Sequence, residues 1–130
     1  MAQPIEQILA RNLIATLSLP AFLVDSDGEV VFFNESASKL IGKRFEESGR
    51  LSREQWKHIG PFDADGTPLS DEGLPLNVAL RQRRPGFGRF HICTDDGVLI
   101  EVDVTALPLS DHRELHGAMV VFWRANEEGR

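Results

Sequence analysis

The feature that most constrains this chain is a pair of short apolar runs, Ala21 to Val24 (AFLV) and Val30 to Phe33 (VVFF), on either side of Asp25-Ser26-Asp27-Gly28. β-branched and aromatic residues of this kind favour strands, and a short Asp/Gly connection between them signals a hairpin in which Gly28 takes the positive φ. A strand with one wet face alternates apolar and polar residues. These runs do not alternate, so the sheet they begin must be covered on both sides. Asn34 ends the second run, and its side-chain oxygen suits the N-cap of a short helix over Glu35 to Ile41, with Gly42 as the stop.

The rest of the chain supplies the covers. Pro4 to Leu17 carries Ile5, Ile8, Leu9, Leu13 and Leu17 at helical spacing, with Pro4 suited to a first turn. This amphipathic helix, or the same surface of a second copy, is the natural cover for the outer face, and Ile5, Ile8, Leu9, Leu13, Leu17 and Phe32 are the expected contacts of a homodimer. From Lys43 to Asp65 periodicity breaks down, and short turns are expected there, one over Ser52 to His58 capped by Ser52. Asp65-Gly66-Thr67-Pro68 has the composition of a turn. Leu74 to Arg83 reads as a helix whose regular part starts near Pro75, because the residue before a proline avoids the α region. Leu76, Ala79 and Leu80 would face a sheet, and Pro85-Gly86 would stop the helix.

The last third reads as β. Strands are expected over Gly88 to Cys93 and Val98 to Leu107, joined by the turn Thr94-Asp95-Asp96-Gly97, with Pro108 ending the pairing. Ile100, Val102, Val104 and Ala106 alternate with Glu101, Asp103 and Thr105, which buries one face only. Leu115 to Arg124 is again apolar on both faces, as a central strand would be. The sequence of elements indicates an α+β fold, an antiparallel sheet with helices gathered on one face.

Several of these residues fall in register with a known pattern. Asp25, Asp27, Gly28, Asn34, Ala37, Leu40 and Gly42 match D-x-(D/N)-G, an apolar strand, then N-x-x-A/S-x-x-L-x-G, so the stretch resembles the opening of a PAS domain of the bacterial signalling sensor type. Asp65 to Arg81 (DGTPLSDEGLPLNVALR) is similar to the segment before and through the long helix of such sensors, and Gly117 to Phe122 to their last strand. The resemblance implies a PAS-like five-stranded antiparallel sheet in the order 2-1-5-4-3, helices on one face, and an N-terminal amphipathic helix. It divides the chain into an N-terminal helix (1–18), the domain (19–124) and a polar tail (125–130). It also implies a sensory or signalling module that relays a bound effector to a signalling partner or effector domain. At the output end the chain departs from the pattern, since Phe122 is followed by Trp123-Arg124-Ala125-Asn126-Glu127-Glu128 rather than by the D-I-T-like turn that often starts a linking helix.

The chemistry of the side chains narrows the function. With 14 Lys and Arg against 20 Asp and Glu, the formal net charge of −6 argues against a nucleic-acid partner. The one basic run, Arg81-Gln82-Arg83-Arg84, lies where a helix ends and complements the helix dipole. No apolar stretch approaches the ~20 residues of a membrane span, and no signal peptide opens the chain, so a soluble cytoplasmic protein is expected. The single cysteine, Cys93, cannot form an internal disulfide.

No catalytic constellation emerges, and an enzyme is not expected. His112 and His116 stand four apart in an expected turn with no obvious third ligand, so a metal site is not expected. The resemblance also bears on cofactors. Cys93 does not match the N-C-R-F-L-Q segment of flavin-binding relatives, which argues against flavin-cysteinyl chemistry. The long helix lacks the histidine that haem-binding relatives supply, which argues against haem. What remains is a pocket under the irregular segment. Phe33, Leu40, Phe45, Trp56, Phe62, Leu76, Leu80, Phe90, Ile92, Val102, Val104 and Met119 are its candidate lining, suited to a small apolar or aromatic ligand. The same residues could equally form an ordinary core, leaving a ligand-free homodimerisation module as the alternative.

Overall fold

The computed structural model describes residues 5–42, 50–70, 73–110 and 114–125. Helix α1 (Ile5–Thr16) leads into strands β1 (Ala21–Val24) and β2 (Val30–Phe33) and helix α2 (Glu35–Ile41). A single turn, α3 (Arg53–Trp56), and helix α4 (Pro75–Gln82) follow, then strands β3 (Gly86–Cys93), β4 (Leu99–Ser110) and β5 (Leu115–Arg124). All adjacent strands pair antiparallel in the order β2-β1-β5-β4-β3, the order implied by the PAS resemblance.

The two-sided strands stand where their composition requires. β5 is the middle strand and β1 its neighbour, and all four residues of β1 are buried. Alternation sends Phe22, Val24, Val120 and Phe122 toward the helices, into a core shared with Ile41, Leu51, Ile59 and Ala79. Ala21 and Leu23 point the other way, into a second core with Ala10 and Ile14 of α1, against which Met119 and Val121 pack. The chain's own N-terminal helix is therefore a cover of the outer face. Fully buried Phe22, Phe33 and Phe122 each contribute roughly 1.5–3 kcal/mol through burial, which makes the β1–β5 centre the firm platform of the fold.

Local chemistry accounts for most element ends. Asn34 caps α2 by accepting the Ala37 amide, and Gly42 closes it by donating to the Ser38 carbonyl. Ser52 and Gln55 form a reciprocal capping box on α3: the Gln55 amide donates to Ser52 Oγ, and the Ser52 amide to Gln55 Oε1. α3 is nevertheless shorter than the expected Ser52 to His58. α4 begins at Pro75 as expected.

Two strand ends differ from expectation. β3 starts at Gly86, two residues earlier than expected, because residue 86 passes under α4: a Cβ there would lie 2.3 Å from the Pro75 carbonyl oxygen, so only glycine fits. β4 continues through Pro108 to Ser110, with Pro108 opposite Ala118 and a register shift between Pro108 and Ser110. A proline lacks the N–H that a regular ladder needs but is accommodated at such an irregularity.

Candidate functional site

Between α4, the end of α3 and the sheet lies a cavity of about 220 Å³. Its floor is the sheet, with Phe90 and Ile92 from β3, Val104 from β4 and Val120 and Phe122 from β5. One wall is α4 and the residue before it, contributing Leu74, Pro75, Leu76, Asn77, Leu80 and Arg81; the other runs from Trp56 and Lys57 through Ile59 to Pro61. Ser26, Asp27 and Gly28 of the β1–β2 turn complete the rim.

Each wall is held in place by packing behind it. Phe22 contacts three aromatic rings, stacking on Phe33 and Phe122 at 5.5 and 5.1 Å between centroids and meeting Trp56 at 4.7 Å. Trp56 and Phe122 are thus fixed from behind by a residue that does not itself line the space. On the opposite wall Pro75 and Ala79, one helical turn apart, are buried and seat α4 on the sheet. Leu76 and Leu80, partly buried, line the cavity. The rim turn is ordered by Asp25, whose Oδ1 accepts the Asp27 and Glu29 amides at 3.0 Å each and whose Oδ2 accepts from Arg50 at 2.8 Å. The D-x-D-G motif therefore builds the hairpin, and Asp27 is left at the rim.

The structure sorts the expected pocket residues. Trp56, Leu76, Leu80, Phe90, Ile92 and Val104 come together around the cavity. Phe33, Leu40 and Val102 belong to the packed core beside it and do not line it. Phe62 pairs instead with β3, exchanging backbone hydrogen bonds with His91. Met119 is a correction: it packs in the outer core against α1, on the opposite side of the sheet, because its neighbours Ala118 and Val120 take the inward positions of the strand. Phe45 lies outside the described residues.

Sequence reasoning missed Ile59, Pro61, Leu74, Pro75, Val120 and Phe122 as lining. Strict alternation along β5 was the available signal for Val120 and Phe122, since it separates them from Met119. The wall from Ile59 to Pro61 has no periodicity to read.

The outer surface also differs from expectation. Among the described side chains of α1, Ala10 and Ile14 are the buried ones rather than the expected stripe, and small Ala10 allows close approach to the sheet. Leu17 and Phe32, expected at a dimer contact, pack partly buried against this chain's own outer core, with the Arg11 guanidinium 4.6 Å over the Phe32 ring. Ile8, Leu9 and Leu13 remain exposed, at 42, 61 and 51%. The Ile5 side chain lies outside the described residues.

Further along this face Arg89 and Asp103, directly opposite across β3 and β4, form a two-pronged pair at 2.8 and 3.2 Å. The hydrogen bond from Arg89 holds the Asp103 carboxyl below its ordinary range. Cys93 ends β3 with its thiol donating to the Thr94 carbonyl at 3.5 Å, and does not line the cavity. His116 lies in β5, whereas His112 is outside the described residues, among which no group of three metal-ligating side chains comes together. No helix among the described residues is long and apolar enough to cross a membrane.

No protein-family model and no curated protein matches the sequence. Solved structures do match the fold. The PAS domain of a protein from Colwellia psychrerythraea superposes with a TM-score of 0.67 at 13% identity, over 93% of this chain and 99% of that one. The PAS domain of nitrogen regulation protein NR(II) from Vibrio parahaemolyticus gives a TM-score of 0.59 at 13% identity, over 89 and 97%. A Rhodobacter sphaeroides LOV protein gives 0.73 at 11% identity, over 98% of this chain and 71% of that one. At such identities the likeness is one of fold, and that fold is the PAS domain.

Proposed function

We propose that this domain is a non-catalytic sensory or signalling module of the cytoplasm, in which a small apolar or aromatic molecule enters the cavity and the outer face relays its presence to a signalling partner. One observation carries the reading. β5 turns Val120 and Phe122 into the cavity floor and Met119 and Val121 into the core under α1. A shift of this strand caused on one face is felt on the other. For that to signal, the ligand must bind two arrangements of the helical wall with different affinity. The outer face suits a second copy of the chain, with Ile8, Leu9 and Leu13 as its exposed apolar residues. Residues 1–18 are then the cap and contact helix, and 19–124 the sensing domain.

A second reading draws support from the cavity's size. About 220 Å³ is below the roughly 300–1,000 Å³ of common small-molecule sites, which suits a ligand-free homodimerisation module. Trp56 separates the two readings because it lines the cavity, whereas Trp123 is 40% exposed on the sheet. In a Trp123→Phe background, titration with small aromatic and aliphatic compounds is expected to change Trp56 emission and raise the melting temperature. Saturation at a hundred times Kd corresponds to about 2.7 kcal/mol. Unchanged emission and melting across the series, with no bound mass in native spectra of the purified protein, would favour the ligand-free module.

A further inference from the structure

We infer that the cavity takes a small amphiphile with an anionic head, of the class of medium-chain carboxylates, with its apolar body inside and its carboxylate at the mouth near Lys57 and Arg81. This deepens the cavity reading above and rests on it. Polarity is graded along the lining. The floor is made of Phe90, Ile92, Val104, Val120 and Phe122, none of them titratable, while the charged lining residues, Asp27, Lys57 and Arg81, are all exposed. A wholly apolar molecule would make no use of that rim.

Among the described residues of the rim, two cations stand against one carboxylate. Lys57 follows α3 and Arg81 lies in the last turn of α4, so they come from the two walls of the cavity. Neither forms an ion pair or side-chain hydrogen bond among the described residues. In a chain whose formal net charge is −6, the excess of positive charge among the described rim residues runs against the global sign. It would attract an anion and disfavour an ammonium head, which among the described lining residues has only Asp27 to meet it.

Volume limits the body. About 220 Å³ holds roughly seven water-sized groups at about 30 Å³ each, which matches a short alkyl chain rather than a long-chain lipid. Octanoate and 1-octanol share such a chain and differ in the head.

Calorimetric titration of the full chain with each compound, in the wild type and in the Lys57→Gln/Arg81→Gln double variant, tests the inference. Both positions are exposed, and 1-octanol binding by the variant is the control for an intact cavity. Exposed charge pairs are individually weak and screened by salt, so the variant is expected to bind octanoate about three- to tenfold less tightly and 1-octanol within about twofold of wild type. The octanoate difference should shrink at about 1 M salt. Equal effects on both compounds, or no effect on octanoate, would overturn the anionic head while leaving the cavity reading in place. If wild type binds neither compound, the cavity reading fails and this inference with it.

Discussion

Asn34 is only 2% exposed and uses both ends of its amide. Its Oδ1 accepts the Ala37 amide at 2.9 Å and the Ala21 amide at 3.1 Å, while its Nδ2 donates to the Ile14 carbonyl at 2.8 Å and the Leu19 carbonyl at 2.9 Å. One side chain thus starts α2 on the cavity side and ties down the end of α1 on the outer side. The first role was readable in the sequence, because capping is a three-residue relationship. The second was not, because Ile14 lies twenty residues away and no local pattern encodes the contact. The two roles can be separated by substitution. Asn34→Asp keeps the acceptor but loses the donor and turns a carboxylate toward two carbonyls. Hydrogen exchange is expected to speed up over the last turn of α1 more than over α2, with about 2–4 kcal/mol lost overall. Equal loss of protection in both helices would mean that Asn34 does not join the layers selectively.

Among the elements, β3 and β4 illustrate how a ladder places charge. Because the two strands pair residue for residue, Arg89 meets Asp103 directly, and the hydrogen bond from the guanidinium lowers the carboxyl's pKa. A carboxyl whose folded pKa lies below its unfolded value of about 3.9 adds stability above that value and loses it as pH falls through the folded pKa. Wild type should therefore melt higher than Asp103→Asn near neutral pH, and the gap should close below about pH 4. A gap that persists in acid would show that the pair's charge is not what stabilises it. Helix α4 makes a different point at the same scale. Its start was legible from Pro75, but its height above the sheet depends on the missing side chain at Gly86, eleven residues further along, where a Cβ would meet the Pro75 backbone. That height sets how far Leu76 and Leu80 stand from Val104, and hence the room in the cavity.

For the whole molecule, the outer face is where the proposed dimer would form. α1 covers β1 and part of β5 with Ala10 and Ile14, leaving Ile8, Leu9 and Leu13 exposed beside a sheet on which Trp123 is also open. If the proposed dimer uses this helix, replacing Leu9 and Leu13 together by glutamate should convert it to monomer in sedimentation experiments while leaving the melting temperature of the domain within a few degrees. A dimer that survives both charges would place the contact elsewhere. The architecture itself was determined by the sequence, because strand alternation, two-sided apolar runs, caps and turn residues are short-range signals that bear directly on backbone conformation. The two covers demanded by Ala21–Val24 were likewise implied before any coordinates. Only the tertiary structure decided that α1 turns Ala10 and Ile14 inward, that Met119 faces away from the cavity, and that Lys57 and Arg81 line the same cavity. Those facts depend on rotations about helix axes and on contacts between distant segments, which packing selects and no local pattern of residues records.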